Sequence, residues 1–150
     1  MIAQLRRAEP ADYDRIVAVL DDWWGRPIST AFPRLFLDLF FSTSLVAEQD
    51  EELAGFLVGL FSGSNDEDAY IHVVGVNPRA RGTGLARRLY ERFFELARAD
   101  DRSVVRAITS PGNRGSIAFH QAMGFTVTGP ITDYHGPSTE RVLFELRLSE

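Results

Sequence analysis

The sequence contains no cysteine. Disulfides, thiolate metal sites and cysteine nucleophiles are therefore excluded. The absence suits a reducing compartment, so a cytoplasmic location is the expectation. Histidine is scarce too. His72, His120 and His135 are too scattered for a zinc site, no HExxH spacing occurs, and no metal is expected. No apolar run reaches the length that crosses a bilayer, and the short one at 36–41 reads as a buried helix. Residues 1–7 hold no apolar stretch of signal-peptide type. Membrane attachment is not expected. Basic residues number 16 against 21 acidic ones, for a formal net charge of -5, and the one basic cluster lies at 79–88. That balance argues against nucleic acid as a partner. It weakly favours cationic partners such as amines.

What is present is ordinary for one soluble domain over residues 1–150: 45% hydrophobic and 25% charged residues. A domain of this length buries roughly 70% of its unfolded surface. Eleven Phe, four Tyr and two Trp supply core mass. No repeat, low-complexity tract or linker interrupts the chain.

Alternation predicts a strand at 2–8. Pro10 opens a helix whose apolar stripe is Tyr13, Ile16, Val17, Val19, Leu20 and Trp24, closed by Gly25 and Pro27. A shorter helix follows at 32–41. Strands at 43–48, 53–61 and 69–76 read as an antiparallel meander, with Glu51 and Glu52 in the first turn. A strong helix starts after the glycine-bearing turn at 82–84 and buries Leu85, Leu89, Phe93, Leu96 and Ala97. A strand at 103–108 leads to a helix capped by Asn113 and stopped by Gly124. Strands at 125–127 and 141–148 close the chain around a loop at 134–137. The order β-α-α-β-β-β-α-β-α-β-β predicts an α+β fold: a single mixed, mostly antiparallel central sheet flanked by helices on both faces.

The segment 76–86 joins a strand to the N-terminus of a good helix. The first turn of a helix leaves N–H groups without internal partners, and the helix dipole adds positive charge there. Gly82 and Gly84 leave the backbone uncovered, and Thr83 and Arg81 offer further donors. This is an anion site fit for a phosphate or pyrophosphate. The plainer alternative is a glycine turn that only starts a helix. A P-loop needs a Lys and a Ser or Thr after its second glycine, and they are missing. A Rossmann turn follows the first strand of a βαβ unit, and this one follows a meander.

Arg79-x-x-Gly82-x-Gly84 after a Val-x-Pro strand end resembles the acyl-CoA signature of the GNAT N-acetyltransferase superfamily. Asn113-x-x-Ser116-x-x-Phe119-His120-x-x-x-Gly124-Phe125 resembles a second segment of that family. Element order and length agree, so the resemblance covers nearly the whole chain. It implies acetyl-CoA as cosubstrate, lying in a V-shaped opening between two splayed strands. It implies that Val74 and Val76 meet pantetheine through their main chain, and that one of them or a neighbour meets the oxyanion of the transfer step. Arg81, Gly82, Thr83, Gly84, Leu85 and Ala86 would wrap the pyrophosphate, with Arg79 and Arg87 at its rim. Asn113 would serve as helix cap and cofactor contact, beside Ser116 and Phe119. Ile71, Val73 and Phe125 read as core.

His120 stands where the family most often has Tyr, which protonates the departing thiolate. An imidazolium, with an ordinary pKa of about 6.5, is competent to protonate a thiolate of about 8.5. The resemblance thus makes His120 the general acid; the alternative is a histidine that only packs. For the general base, His72 lies on the strand face of Val74 and Val76, while Glu67 and Asp68 stand just before that strand. Trp23, Trp24 and the residues to Pro27 would build part of the acceptor wall, one Trp in the core and one facing substrate. Tyr134 and His135 would cover the pocket or form a solvated turn. The acidic runs at 21–22, 50–52 and 66–68 read as solvated turns, with Asp21 or Asp22 as a lesser amine-binding alternative. The implied activity is acetyl transfer from acetyl-CoA to a primary amine of a small molecule or peptide. The alternative is a non-catalytic acyl-CoA-binding or sensing module. Exposed sheet edges leave a homodimer open.

Overall fold

The computed structural model describes residues 2–149. Eleven regular elements follow the expected order: β1 (Gln4–Arg7), α1 (Tyr13–Trp24), α2 (Arg34–Phe40), β2 (Leu45–Gln49), β3 (Glu52–Phe61), β4 (Asp68–Val76), α3 (Leu85–Ala99), β5 (Val104–Thr109), α4 (Arg114–Ala122), β6 (Thr126–Thr132) and β7 (Glu140–Arg147). The class is α+β. The chain falls into two compact units, Met1–Leu60 with Ile71–Leu96 and Phe61–Tyr70 with Ala97–Glu150, and β4 contributes to both.

In the first unit the strands lie in the order β1-β2-β3-β4. β1 pairs antiparallel with β2, and β2 antiparallel with β3. The β2–β3 hairpin turns at Asp50 and Glu51, both left-handed at φ 53 and 67. That places the turn one residue before the expected Glu51–Glu52, because paired positive φ values suit the twist of a tight hairpin. Helices cover both faces of β3. Phe56 meets Trp23 of α1, ring centroids 6.0 Å apart and nearly parallel. Leu85, Leu89 and Phe93 of α3 lie against Gly55 and Gly59. A Cβ at Gly59 would sit 2.3 Å from Phe93 Cε1, and one at Gly75 would sit 2.5 Å from Phe56. Glycine here makes room for two fully buried rings.

α1 buries Ile16 and Leu20, four residues apart on one helix face. It ends where Gly25, at φ 75, donates its N–H to the Asp21 and Asp22 carbonyls. Glycine is the residue that adopts this left-handed cap without strain. Below α1, Arg6 reaches both oxygens of the buried Asp12 at 2.8 and 2.9 Å and Glu48 at 2.8 Å, while Arg15 bonds Glu48 at 2.8 Å. Burial raises the pKa of Asp12, but Arg6, the Glu9 N–H and Arg15 outweigh it and hold the carboxyl below its usual range.

In the second unit the order is β4-β5-β7-β6. β4 pairs parallel with β5 over Asp68–Tyr70 and Val104–Arg106, whereas β5–β7 and β6–β7 are antiparallel. Val105, Ala107, Val142 and Phe144 share one buried face, and Val104 is buried on the other. β6 runs to Thr132, five residues past the expected end. Its side chains are largely exposed and its register shifts between Thr128 and Ile131, so it lacks the apolar alternation that announces a strand.

Candidate active site

β4 alternates cleanly. Ile71, Val73 and Gly75 are buried, while His72, Val74 and Val76 are half-buried on the other face. Ile71 and Val73 are core, as expected. Asn77 then ends the strand. Its N–H bonds the Ala54 carbonyl at 2.8 Å, its side-chain amide donates to the Leu53 carbonyl at 3.2 Å, and its side-chain oxygen accepts from Arg79 N–H at 3.0 Å. A short 3-10 turn, Pro78–Ala80, leads into the glycine segment.

Gly82 and Gly84 have φ 78 and 81, and a Cβ at either would meet nothing within 4 Å. The requirement for glycine is thus conformational, and the backbone lies open to an approaching group. Arg88 N–H bonds the Gly84 carbonyl at 3.1 Å. The N–H groups before it belong to the set that a helix start leaves without intrahelical partners. Leu85 is buried by its side chain, so only its main chain is available to a ligand. This uncovered turn at the start of the 15-residue α3 fits a pyrophosphate.

Two side chains of this segment are used otherwise than expected. The Arg81 guanidinium donates to the Trp23 carbonyl at 2.6 Å, near the C-terminus of α1 where the helix dipole favours a cation. The Thr83 hydroxyl donates to the Ala80 carbonyl at 2.5 Å and so closes its own turn. Both side chains are thus engaged within the protein, and the main chain of the turn stays uncovered. Arg79 stands 3.8 Å from Glu52 and Arg87 3.9 Å from Glu91, both pairs well exposed and so weakly held.

The residues expected to form an acceptor wall make distinct contacts. Trp23 is stacked on Phe56, whereas the Trp24 indole N–H donates to the Val74 carbonyl at 2.9 Å. The Arg26 guanidinium lies 5.6 Å from the Trp24 ring centroid. Asp21 is no solvated turn. Its carboxylate accepts from Ile28 N–H, Ser29 N–H and the Ser29 hydroxyl at 2.8, 2.7 and 3.0 Å. The Ile28 bond leads in holding its pKa below the usual range. His72 Nε2 lies 2.5 Å from the Ala31 carbonyl, and its ring is 4.6 Å from Phe36. A carbonyl only accepts, so Nε2 carries the hydrogen and the bond is a fixed anchor.

In the second unit Asn113 is the N-cap of α4, its side-chain oxygen accepting from Ser116 N–H at 3.2 Å. Phe119 is half-buried beside His120, and Phe125 is core. His120 is only 4% exposed. Its ring stacks on Phe144 at 3.8 Å and 4°, with Phe125 edge-on at 5.0 Å. Nδ1 donates to the Ser116 carbonyl at 2.7 Å. Burial pushes the imidazole pKa down, and the Ser116 carbonyl only partly offsets it. Near neutral pH the ring is therefore mostly neutral, so an acid role there needs a proton gained during the reaction. The sequence could not show this, because the stacking partner lies 24 positions away on β7.

The remaining base candidates are engaged in structure. Asp68 accepts from Arg106 Nε at 3.0 Å, and Glu67 from the Ser103 hydroxyl at 3.3 Å. His135 and Tyr134 pack edge to face at 5.0 Å in an exposed turn closed by Thr139, whose hydroxyl accepts from His135 N–H at 2.8 Å. Among the described residues, no helix is long and apolar enough to cross a membrane.

The profile of the acetyltransferase (GNAT) family matches residues 13–125. The L-2,4-diaminobutyric acid acetyltransferase of Marinococcus halophilus is 27% identical over 89 residues, covering 59% of this chain and 52% of that protein. The L-methionine sulfoximine/L-methionine sulfone acetyltransferase of Pseudomonas aeruginosa is 27% identical, covering 86% of this chain and 83% of that protein. A diaminobutyrate acetyltransferase from Paenibacillus lautus, solved with L-2,4-diaminobutyric acid and coenzyme A, superposes with a TM-score of 0.79 at 20% identity, covering 99% of this chain and 97% of that one. The chain spans about half the length of the first curated relatives it matches. With the family profile running from α1 through the glycine turn and α4, the chain belongs to the acetyltransferase (GNAT) family.

Proposed function

We propose that this protein moves an acetyl group from acetyl-CoA to a primary amine of a small molecule, with amino acids as the first class of acceptor. The carrying observation is the turn into α3, where Gly82 and Gly84 hold the backbone left-handed and uncovered before a helix N-terminus. The class of acceptor is suggested by the relatives named for diaminobutyrate and methionine sulfoximine. In this reading Val74 and Val76 meet the cofactor arm, the main chain of 81–86 and the side chains of Arg79 and Arg87 meet the pyrophosphate, and Asn113, Ser116 and Phe119 line the cofactor side of α4.

The neutral amine attacks the thioester carbonyl, and the tetrahedral intermediate collapses as the C–S bond breaks. The new amide nitrogen must shed one proton and the thiolate must gain one, so the step needs no outside acid. A neutral His120 suits that balance. It takes the proton at Nε2 and passes it to sulfur, with Nδ1–H held by Ser116 throughout. The burial of His120 also favours a second reading, an acyl-CoA-binding module without turnover.

Thermal unfolding with excess acetyl-CoA, and with ADP as control, tests the cofactor. Ligand at a hundred times its dissociation constant adds roughly 2.7 kcal/mol, a rise of roughly 5–10 °C for a domain this long. No rise overturns both readings. A rise accompanied by CoA release with diaminobutyrate or methionine sulfoximine supports transfer. A rise without release by any amine supports the binding module.

A further inference from the structure

The stretch 23–32 runs from the last turn of α1 into its connection to α2, and it is fastened at several points within the first unit. Asp21 holds its middle through Ile28 and Ser29. The Tyr13 hydroxyl donates to the Phe32 carbonyl at 2.9 Å. Arg81 holds the Trp23 carbonyl. Two further ties come from β4 itself, at positions two residues apart: a main-chain carbonyl and a side chain. The Val74 carbonyl receives the Trp24 indole N–H, and His72 Nε2–H reaches the Ala31 carbonyl at 2.5 Å. β4 thus grips the stretch near both of its ends. The His72 ring is further set by Phe36 at 4.6 Å, on the first turn of α2.

We propose that His72 is a positioning residue that holds the α1–α2 connection in register with β4, acting through the Ala31 carbonyl, and that it takes no proton in the reaction. The inference rests on the acetyl-transfer reading in one respect: β4 would bear the acetyl donor and the connection the acceptor amine. The Ala31–His72 bond then sets the approach of one to the other. Holding Nε2–H on a main-chain oxygen fixes the ring against the connection. Hydrogen exchange and the pH profile separate that role from proton transfer at Nδ1.

Two variants separate the roles. His72→Gln keeps an N–H donor at the place of Nε2 but cannot titrate, while His72→Phe keeps a ring beside Phe36 but loses the donor. Hydrogen exchange on the ligand-free protein reads the anchor without any turnover. In His72→Phe, peptides covering 28–33 exchange faster, those covering 85–95 do not change, and His72→Gln restores the slow rate. In turnover with diaminobutyrate or methionine sulfoximine, His72→Phe raises the acceptor KM about 3- to 10-fold, the size of one lost hydrogen bond. Its kcat and pH profile hold, and His72→Gln behaves as the parent. Unchanged exchange at 28–33 in His72→Phe overturns the proposal. So does a kcat loss of about 10²-fold or more in both variants with the low-pH limb abolished, the signature of a base. Failure of the parent protein to turn over any amine removes the acetyl-transfer reading by itself, and the exchange comparison still decides the anchor.

Discussion

Replacing His120 by Phe removes a titrating group from the core of the second unit while keeping an aromatic ring to stack on Phe144. The unfolded chain binds a proton at this imidazole below about pH 6.5. The native state resists, because burial lowers the pKa more than the Ser116 carbonyl raises it. Between those two pKa values the unfolded state holds more protons, so stability falls as pH falls. The slope from this one group approaches about 1.4 kcal/mol per pH unit and ends once the pH drops through the native pKa. In a domain of this length that is about 3–6 °C of melting temperature per pH unit. Above about pH 7.5 the group contributes no slope. The assay is urea unfolding of the parent and His120→Phe from about pH 8 down to about pH 5, with the difference between the two taken at each pH. The subtraction removes His72, His135 and the carboxylates. The difference should be level near neutrality and move in favour of the variant in acid. A level difference at every pH, or a His120 pKa at or above the ordinary value by NMR, would refute the buried neutral imidazole and restore a resting imidazolium acid.

Three further outcomes are expected. Gly75→Ala puts a Cβ 2.5 Å from the fully buried Phe56 ring, itself stacked on Trp23, and should cost at least the upper part of about 1–3 kcal/mol by denaturation; a cost under about 1 kcal/mol would mean the ring yields. Arg6→Met leaves the buried Asp12 with Arg15 at 3.6 Å as its remaining cation and should cost about 1–3 kcal/mol. Asp12 stabilises the fold above the unfolded pKa of about 3.9, and this is lost as pH falls through the lowered native pKa; acid unfolding should therefore begin at higher pH in the variant, and an unmoved midpoint would count against the pairing. Gly82→Ala meets no neighbour but keeps φ near +78, a strain of about 1–2 kcal/mol, and its methyl would stand where the turn is open; the melting rise with acetyl-CoA should shrink, and an undiminished rise would move the pyrophosphate elsewhere.

Element order was legible because strong local signals coincide. Pro10, Gly25, Asn113 and Gly124 punctuate α1 and α4 as their backbone preferences require, and α3 buries Leu85, Leu89, Phe93 and Ala97 of its expected stripe, with Leu96 half-buried and Tyr90 and Phe94 buried beside it. β6 was underestimated because its side chains are exposed and its pairing with β7 is interrupted. The left-handed turn at Gly82 and Gly84 was legible, since glycine alone adopts that φ without strain. The side chains around it were not. Arg81 finds a carbonyl 58 residues away that no spacing rule names, and Thr83 closes on the carbonyl three residues before it.

By itself, the sequence determined the class, the element order and a glycine turn before a helix start, because period, caps and glycines act over a few residues. Only the tertiary structure decided protonation and partnership. His120 is neutral because Phe144, Phe125 and Phe119 surround it. Likewise, His72 and Asp21 are anchors because carbonyls and N–H groups from the α1–α2 connection reach them. Desolvation and hydrogen-bond geometry are set by residues distant in the chain, and a titratable group takes its chemistry from those neighbours.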